Sequence, residues 1–126
     1  MARPKAKELT ERELEIMQVF WDRGELTPQD VRGHLAEAGR DLAYTTVATL
    51  VRILLEKGFV RQTNEERPFR YEPARSFEEV SGSLVNDLVS RVFGGSAEKL
   101  LVSLLDQQGL SKKERDALRN ILDTKK

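Results

Sequence analysis

Residues 44–57 impose the strongest constraint on this chain. Val47, Leu50, Val51, Leu54 and Leu55 recur at i, i+3, i+4, i+7 and i+8, the spacing of one stripe on an α-helix. The period predicts a helix from Tyr44 to Lys57, with that stripe buried and the Lys57-Gly58 pair as its stop. The opposite side carries Thr45, Thr49, Arg52 and Glu56, flanked by Thr46, Ala48 and Ile53. A face so short and hydroxyl-bearing can lie close against another surface. Two short runs follow, Phe59 to Thr63 and Phe69 to Tyr71, around the polar Asn64-Glu65-Glu66-Arg67-Pro68 turn. They are expected to pair as a hairpin with a charged tip.

Two helices are predicted upstream. Thr10 and Glu13 have the spacing of a reciprocal cap, with Leu9 stapled onto Leu14, and the helix they open should run to about Asp22. Its apolar residues are Leu14, Ile16, Met17, Val19, Phe20 and Trp21; Met17, Phe20 and Trp21 are expected in the core. Thr27-Pro28-Gln29-Asp30 repeats the start signal, with proline where its missing N–H costs nothing, and this helix should carry Val31 and Leu35 to about Gly39.

Downstream of Pro73, Ser76-Phe77-Glu78-Glu79 is another capping signal. The helix it opens, roughly Phe77 to Phe93, bears two apolar rows: Val80, Leu84, Leu88 and Val92, and Val85, Val89 and Phe93. Gly94-Gly95 ends it. A fifth helix with Leu100, Leu101, Leu104 and Leu105 should run to a break at Gly109, and Ser111 should open a sixth with Leu118, Ile121 and Leu122. Residues 76–126 contain no aromatic beyond Phe77 and Phe93, so two apolar rows there lack partner surface within one chain. A second copy would supply it. The expected organisation is a first domain at residues 1–75 and a helical dimerisation region at 76–126.

Composition removes several function classes. Without cysteine there can be no disulfide, thiolate chemistry or cysteine-based metal sensing. Lysine plus arginine number 21 and so do aspartate plus glutamate, so net charge selects no partner. No apolar run approaches the ~18 residues that cross a bilayer, and Met1 to Lys7 lacks the apolar stretch of a signal peptide. A soluble, cytoplasmic protein without membrane insertion is expected. His34 is the single histidine and reads as a helix-surface residue rather than a metal ligand or proton carrier. Ser96-Ala97-Glu98-Lys99 has the Ser-x-x-Lys spacing of penicillin-recognising enzymes but no companion motif, and Ser96 is explained as a helix cap. The reading is therefore of no enzyme, no cofactor and no metal. Arg3, Lys5 and Lys7 read as a basic tail.

Three helices followed by a two-stranded hairpin, with an amphipathic third helix, is the plan of a mainly α winged helix-turn-helix. In that plan the third helix enters the DNA major groove and the hairpin lies along the backbone. At the level of residues, Leu9-Thr10 through Trp21, Tyr44-Thr45-Thr46-Val47-Ala48-Thr49-Leu50-Val51, Lys57-Gly58-Phe59-Val60 and Arg67-Pro68-Phe69-Arg70-Tyr71-Glu72-Pro73 resemble the BlaI/MecI family of penicillinase and methicillin-resistance repressors, which includes copper-responsive CopY-type members. The absence of cysteine sets this chain apart from the copper-responsive branch.

The resemblance implies a dimeric repressor that binds an inverted-repeat operator of double-stranded DNA. Thr45, Thr46 and Thr49 match recognition-helix positions near DNA, Tyr44 opens the same motif, and Arg67 matches a wing arginine. Threonine hydroxyls can bond phosphates or base edges, and arginine can grip guanine or phosphate, which adds Arg52 and Arg70 to the candidates. Without the motif, a surface threonine or a hairpin arginine is an ordinary solvated residue. Two positions depart from the family: the usual arginine before Leu54 is Ile53, with the arginine at Arg52, and the usual glycine before the wing arginine is Glu66. The dimerisation candidates are Val80, Leu84, Leu88, Leu101, Leu104, Leu105, Leu118, Ile121 and Leu122. The family's release by a regulatory protease aligns here between Ser103 and Leu104. A winged-helix protein-interaction adaptor that does not bind DNA is the alternative, favoured by zero net charge and by Glu56, Glu65 and Glu66.

Overall fold

The computed structural model describes residues 9–106 and 110–124, with side chains described as far as Ile121. The basic tail with Arg3, Lys5 and Lys7, the break at Gly109 and the side chain of Leu122 lie outside the described residues. The elements are α1 (Glu11–Arg23), α2 (Pro28–Glu37), α3 (Tyr44–Lys57), β1 (Val60–Gln62), β2 (Tyr71–Pro73), α4 (Phe77–Val92), α5 (Ala97–Asp106) and α6 (Lys112–Thr124). The chain divides within α4 into two compact units, residues up to 84 and residues from 85 on.

Side-chain caps start most of these helices. Thr10 Oγ1 accepts from the Glu13 N–H at 3.1 Å while Glu13 Oε1 accepts from the Thr10 N–H at 3.0 Å. Thr27 and Asp30 repeat this reciprocal pair at the start of α2, and Ser111 and Glu114 at the start of α6. Ser76 and Ser96 accept from the Glu79 and Lys99 N–H groups in the same way. Helix α3 begins without a side-chain cap and ends on Gly58, whose φ of 84° and ψ of 16° are left-handed. In that conformation the Gly58 N–H reaches the carbonyls of Leu54 and Leu55, and the chain turns back so that Phe59 enters the core.

In the first unit Ile16, Met17 and Phe20 of α1, Val31 and Leu35 of α2, and Val47, Val51 and Leu54 of α3 meet Phe59, Val60 and Tyr71. Full burial of a side chain such as Phe20 or Leu54 contributes about 1.5–3 kcal/mol. Trp21, expected inside the core, borders it instead: its indole N–H donates to the Arg75 carbonyl at 3.0 Å and its ring meets Phe77 edge-on at 5.4 Å. Val80 and Leu84 of α4 also belong to this unit, Val80 fully buried and Leu84 packed beside the core. The structure thus places Val80 inside the first unit rather than on a surface a partner could reach, because the first turns of α4 cover the end of the three-helix core.

Strands β1 and β2 are antiparallel, with Val60 opposite Pro73 and Gln62 opposite Tyr71. The second strand therefore lies two residues beyond the expected Phe69 to Tyr71. Two interactions move it. The Arg70 N–H is taken by the Asn64 side-chain oxygen at 2.8 Å, which holds Phe69 and Arg70 in the loop. Tyr71 also bridges Leu26, exchanging N–H···O bonds of 2.8 and 2.9 Å, so the α1–α2 connection adds a one-residue third strand to the hairpin.

The second unit comprises the end of α4, then α5 and α6. Positive φ angles at Gly94 and Gly95 end α4, with the Gly95 N–H bonded to the Val89 carbonyl at 2.8 Å. None of its described side chains is buried. Val85, Leu88, Val92, Val102, Leu104 and Ile121 are exposed in the single chain. Among the described residues, no helix is long and apolar enough to cross a membrane.

Candidate nucleic-acid interface

Helix α3 is amphipathic as its period requires. Val47, Val51 and Leu54 are buried, with Leu50 and Leu55 half-buried against the core, which leaves Thr45, Thr49, Arg52 and Glu56 exposed on the outer side. Thr46 is half-buried and Tyr44 is exposed at the first position of the helix. This orientation is fixed at the last turn of the helix. At the carboxy end the Lys57 ammonium donates to Glu13 Oε1 at 2.8 Å, tying the last turn of α3 to the first turn of α1. Glu13 is 4 % exposed. Burial alone pushes its carboxyl up, but the Lys57 ammonium and the Thr10 N–H outweigh that and hold it below the usual carboxylate range.

An open groove of about 640 Å³ runs between this face and the wing. Thr27, Pro28 and Gln29 at the start of α2 line it, with Tyr44, Ala48, Thr49 and Arg52 of α3 and Arg67, Pro68, Phe69 and Tyr71 of the wing. The Arg67 guanidinium sits over the Phe69 ring, 5.3 Å from its centre. Burial pushes the Tyr71 hydroxyl up, Tyr44 adds to this and Arg67 opposes it.

Asn64 organises the wing tip. Its side-chain amide donates to the carbonyls of Glu66 and Pro68 at 2.9 and 3.1 Å, while its oxygen takes the Arg70 N–H. At the base of the wing Arg61 pairs with Glu72 at 2.6 Å and Arg70 with Glu25 at 2.6 Å. Among the described residues, Arg52 and Arg67 have no carboxylate within ion-pair distance, so they are the unpaired cations facing the groove.

The sequence candidates divide accordingly. Tyr44, Thr49, Arg52 and Arg67 meet in one groove, Thr45 is exposed on the same helix outside its lining, Thr46 is half-turned inward, and Arg70 is turned to Glu25. Sequence reasoning missed Gln29, Asn64 and Phe69. The Thr27-Pro28 start signal placed Gln29 in the first turn of a helix but gave no sign that it faced α3. No local pattern marks Asn64 as a clamp, because its partners lie on the far side of the turn. His34 lies 3.8 Å from Glu37, and no group of residues among those described could hold a metal ion.

Three helices with a core-facing third helix, backed by a hairpin that a loop residue extends, define the winged helix-turn-helix class. The unit resembles the solved DNA-binding domain of the repressor BlaI, with a TM-score of 0.51 at 25% identity over 60% of this chain and 92% of that one. The fold of RosR from H. salinarum matches over 96% of both chains, with a TM-score of 0.58 at 16% identity. The sequence profile described as penicillinase repressor matches residues 9–124, and the chain belongs to that family. Its relatives include the transcriptional regulator BlaI of Mycobacterium tuberculosis, 39% identical over 94% of this chain and 85% of the relative. The methicillin resistance regulatory protein MecI of Staphylococcus aureus is 23% identical over 96% of this chain and 98% of its own length.

Proposed function

We propose that the chain is a transcriptional repressor that binds an operator dyad as a homodimer, with α3 in the major groove and the wing on the sugar-phosphate backbone. The observation that carries this reading is the groove itself. It sets the short hydroxyl face of α3 and unpaired Arg52 opposite unpaired Arg67, at the place where a backbone strand would pass beside a docked helix. Thr45, Thr46 and Thr49 approach base edges or nearby phosphates, Arg52 reaches a base or phosphate, Tyr44 and Arg67 hold the backbone. Membership of the penicillinase repressor family supports the same reading.

The second unit serves dimerisation. Leu88, Leu101, Leu104, Leu105, Leu118 and Ile121 provide the apolar surface, with Leu84 beside it. Each of these is exposed or only half-buried in the single chain, so a partner copy would remove their surfaces from water. Repression ends when a regulatory protease cuts between Ser103 and Leu104, separating the end of α5 and all of α6 from the rest. Loss of joint binding to two half-sites can weaken the grip by a factor of about 10² to 10⁴. Because both residues lie inside α5, the helix must open before it is cut.

The reading is tested by titrating the chain against a duplex from its own promoter at two salt concentrations. Tight binding that weakens steeply as salt rises is expected. Absence of binding at either salt would instead favour an adaptor, with Glu56, Glu65 and Glu66 facing a protein partner.

A further inference from the structure

The wing holds three arginines, and the structure spends two of them internally. Arg61 is paired with Glu72 across the hairpin. Arg70 is held more elaborately. Its Nε donates to Glu25 Oε2 at 2.6 Å and its Nη2 to the Glu25 carbonyl at 3.4 Å. The backbones on both sides are fixed beside this contact: Leu26 and Tyr71, the residues immediately following the pair, exchange two backbone hydrogen bonds, and the Arg70 N–H is bound by Asn64. Asp30 adds a second carboxylate nearby, its own negative form favoured first by the Thr27 N–H and in smaller part by the Arg70 charge. The acidic partners and the arginine therefore cannot drift apart through backbone motion without breaking the bridge that closes the hairpin.

We propose that Glu25 is a specificity-determining residue: by holding the Arg70 guanidinium it withholds a wing cation from the phosphate backbone, so that sequence-blind attraction to DNA stays low. The inference rests on the DNA-binding reading above. Its physical basis is that phosphate contacts release counterions and add affinity for any sequence, whereas base contacts discriminate. The elements around the groove carry Glu25, Asp30, Glu56, Glu65 and Glu66 as well as Arg52, Arg67 and Arg70, while the groove itself is lined by Arg52 and Arg67 and by none of these carboxylates. A repressor so balanced keeps its affinity for the operator, where Thr49 and Arg52 meet bases, while giving up affinity for the rest of the genome. Arg70 acts as a strut between the wing and the α1–α2 connection and is not a phosphate ligand.

The test measures the salt dependence of binding to a duplex of unrelated sequence, using the full chain and the variants Glu25→Gln and Glu25→Gln/Arg70→Gln. Circular dichroism and thermal melts confirm that each is folded. Each phosphate neutralised contributes about 0.9 to the slope of log affinity against log salt. Glu25→Gln frees one arginine per protomer and should steepen the slope by about 0.9 for a bound monomer or about 1.8 for a dimer. Lowering salt fourfold should then tighten its binding by about 3.5-fold or about 12-fold more than that of the unmodified chain. The double variant should return to the original slope, because Arg70 contributes nothing in the unmodified protein. An unchanged slope in Glu25→Gln, or a double variant flatter than the unmodified chain by one phosphate per protomer, overturns the proposal. An unmodified chain that binds no duplex at any salt overturns the DNA-binding reading, and this inference with it.

Discussion

Glu13 does two jobs with one carboxylate, closing the α1 cap and receiving Lys57 from the end of α3. Glutamine keeps the cap, since an amide oxygen can still accept the Thr10 N–H, and drops the charge. Glu13→Gln should cost about 1.5–3 kcal/mol at neutral pH, the usual contribution of a hydrogen bond to a charged group. The sign of its pH dependence is fixed by direction. The folded carboxyl lies below its ordinary value of 4.5, so its contribution is complete above that value and is lost as pH falls through the lowered one. Denaturant melts across the acid range should thus show a smaller stability loss in Glu13→Gln than in the unmodified chain; parallel curves would contradict the pairing. In the proposed docking the two unpaired arginines differ in kind. Arg52→Ala should weaken operator binding by about 1–3 kcal/mol and relax preference at one base position if it reads a base. Arg67→Ala should weaken binding to all duplexes alike and lower the salt slope by about 1 per protomer. Identical effects of the two on operator and unrelated DNA would erase the distinction between a base-reading helix and a backbone-holding wing.

At the scale of elements, α3 was legible down to its ends because its period is unbroken and its stop is a glycine. Gly58 carries the left-handed turn that returns Phe59 to the core, so Gly58→Ala should cost about 1–2 kcal/mol. A melting temperature unchanged by this substitution would mean that the turn has another stable form. The paired caps were equally legible, since Thr10 and Glu13, or Thr27 and Asp30, sit three residues apart in any register. The second wing strand was not. Phe69-Arg70-Tyr71 alternates as a strand should, but its placement depends on Asn64 across the turn and on Leu26, forty-five residues before Tyr71 in the chain. Local patterning carries no record of either. The same limit applies to the interface: the hydroxyl face of α3 could be read from the helix period alone, while the turning of Arg70 toward Glu25 depends on the Leu26–Tyr71 bridge.

For the whole molecule, the contrast between its units is the main energetic fact. The first buries a full set of aromatic and aliphatic side chains, whereas no described side chain of the second is buried in one copy. On the proposed assembly, sedimentation at micromolar concentration should find dimers, and a folded monomer there would refute it. A chain ending at Ser103 should sediment as monomer and lose most of its operator affinity; full retention would show that a cut at this position cannot end repression. The bare second unit has a further consequence for dose. When folding of that unit and pairing are one event, the number of competent repressors follows the square of the number of chains wherever monomers predominate. Halving the chains made per cell would then quarter the dimers, so small changes in synthesis or turnover would be amplified at the promoter before any inducing signal arrived.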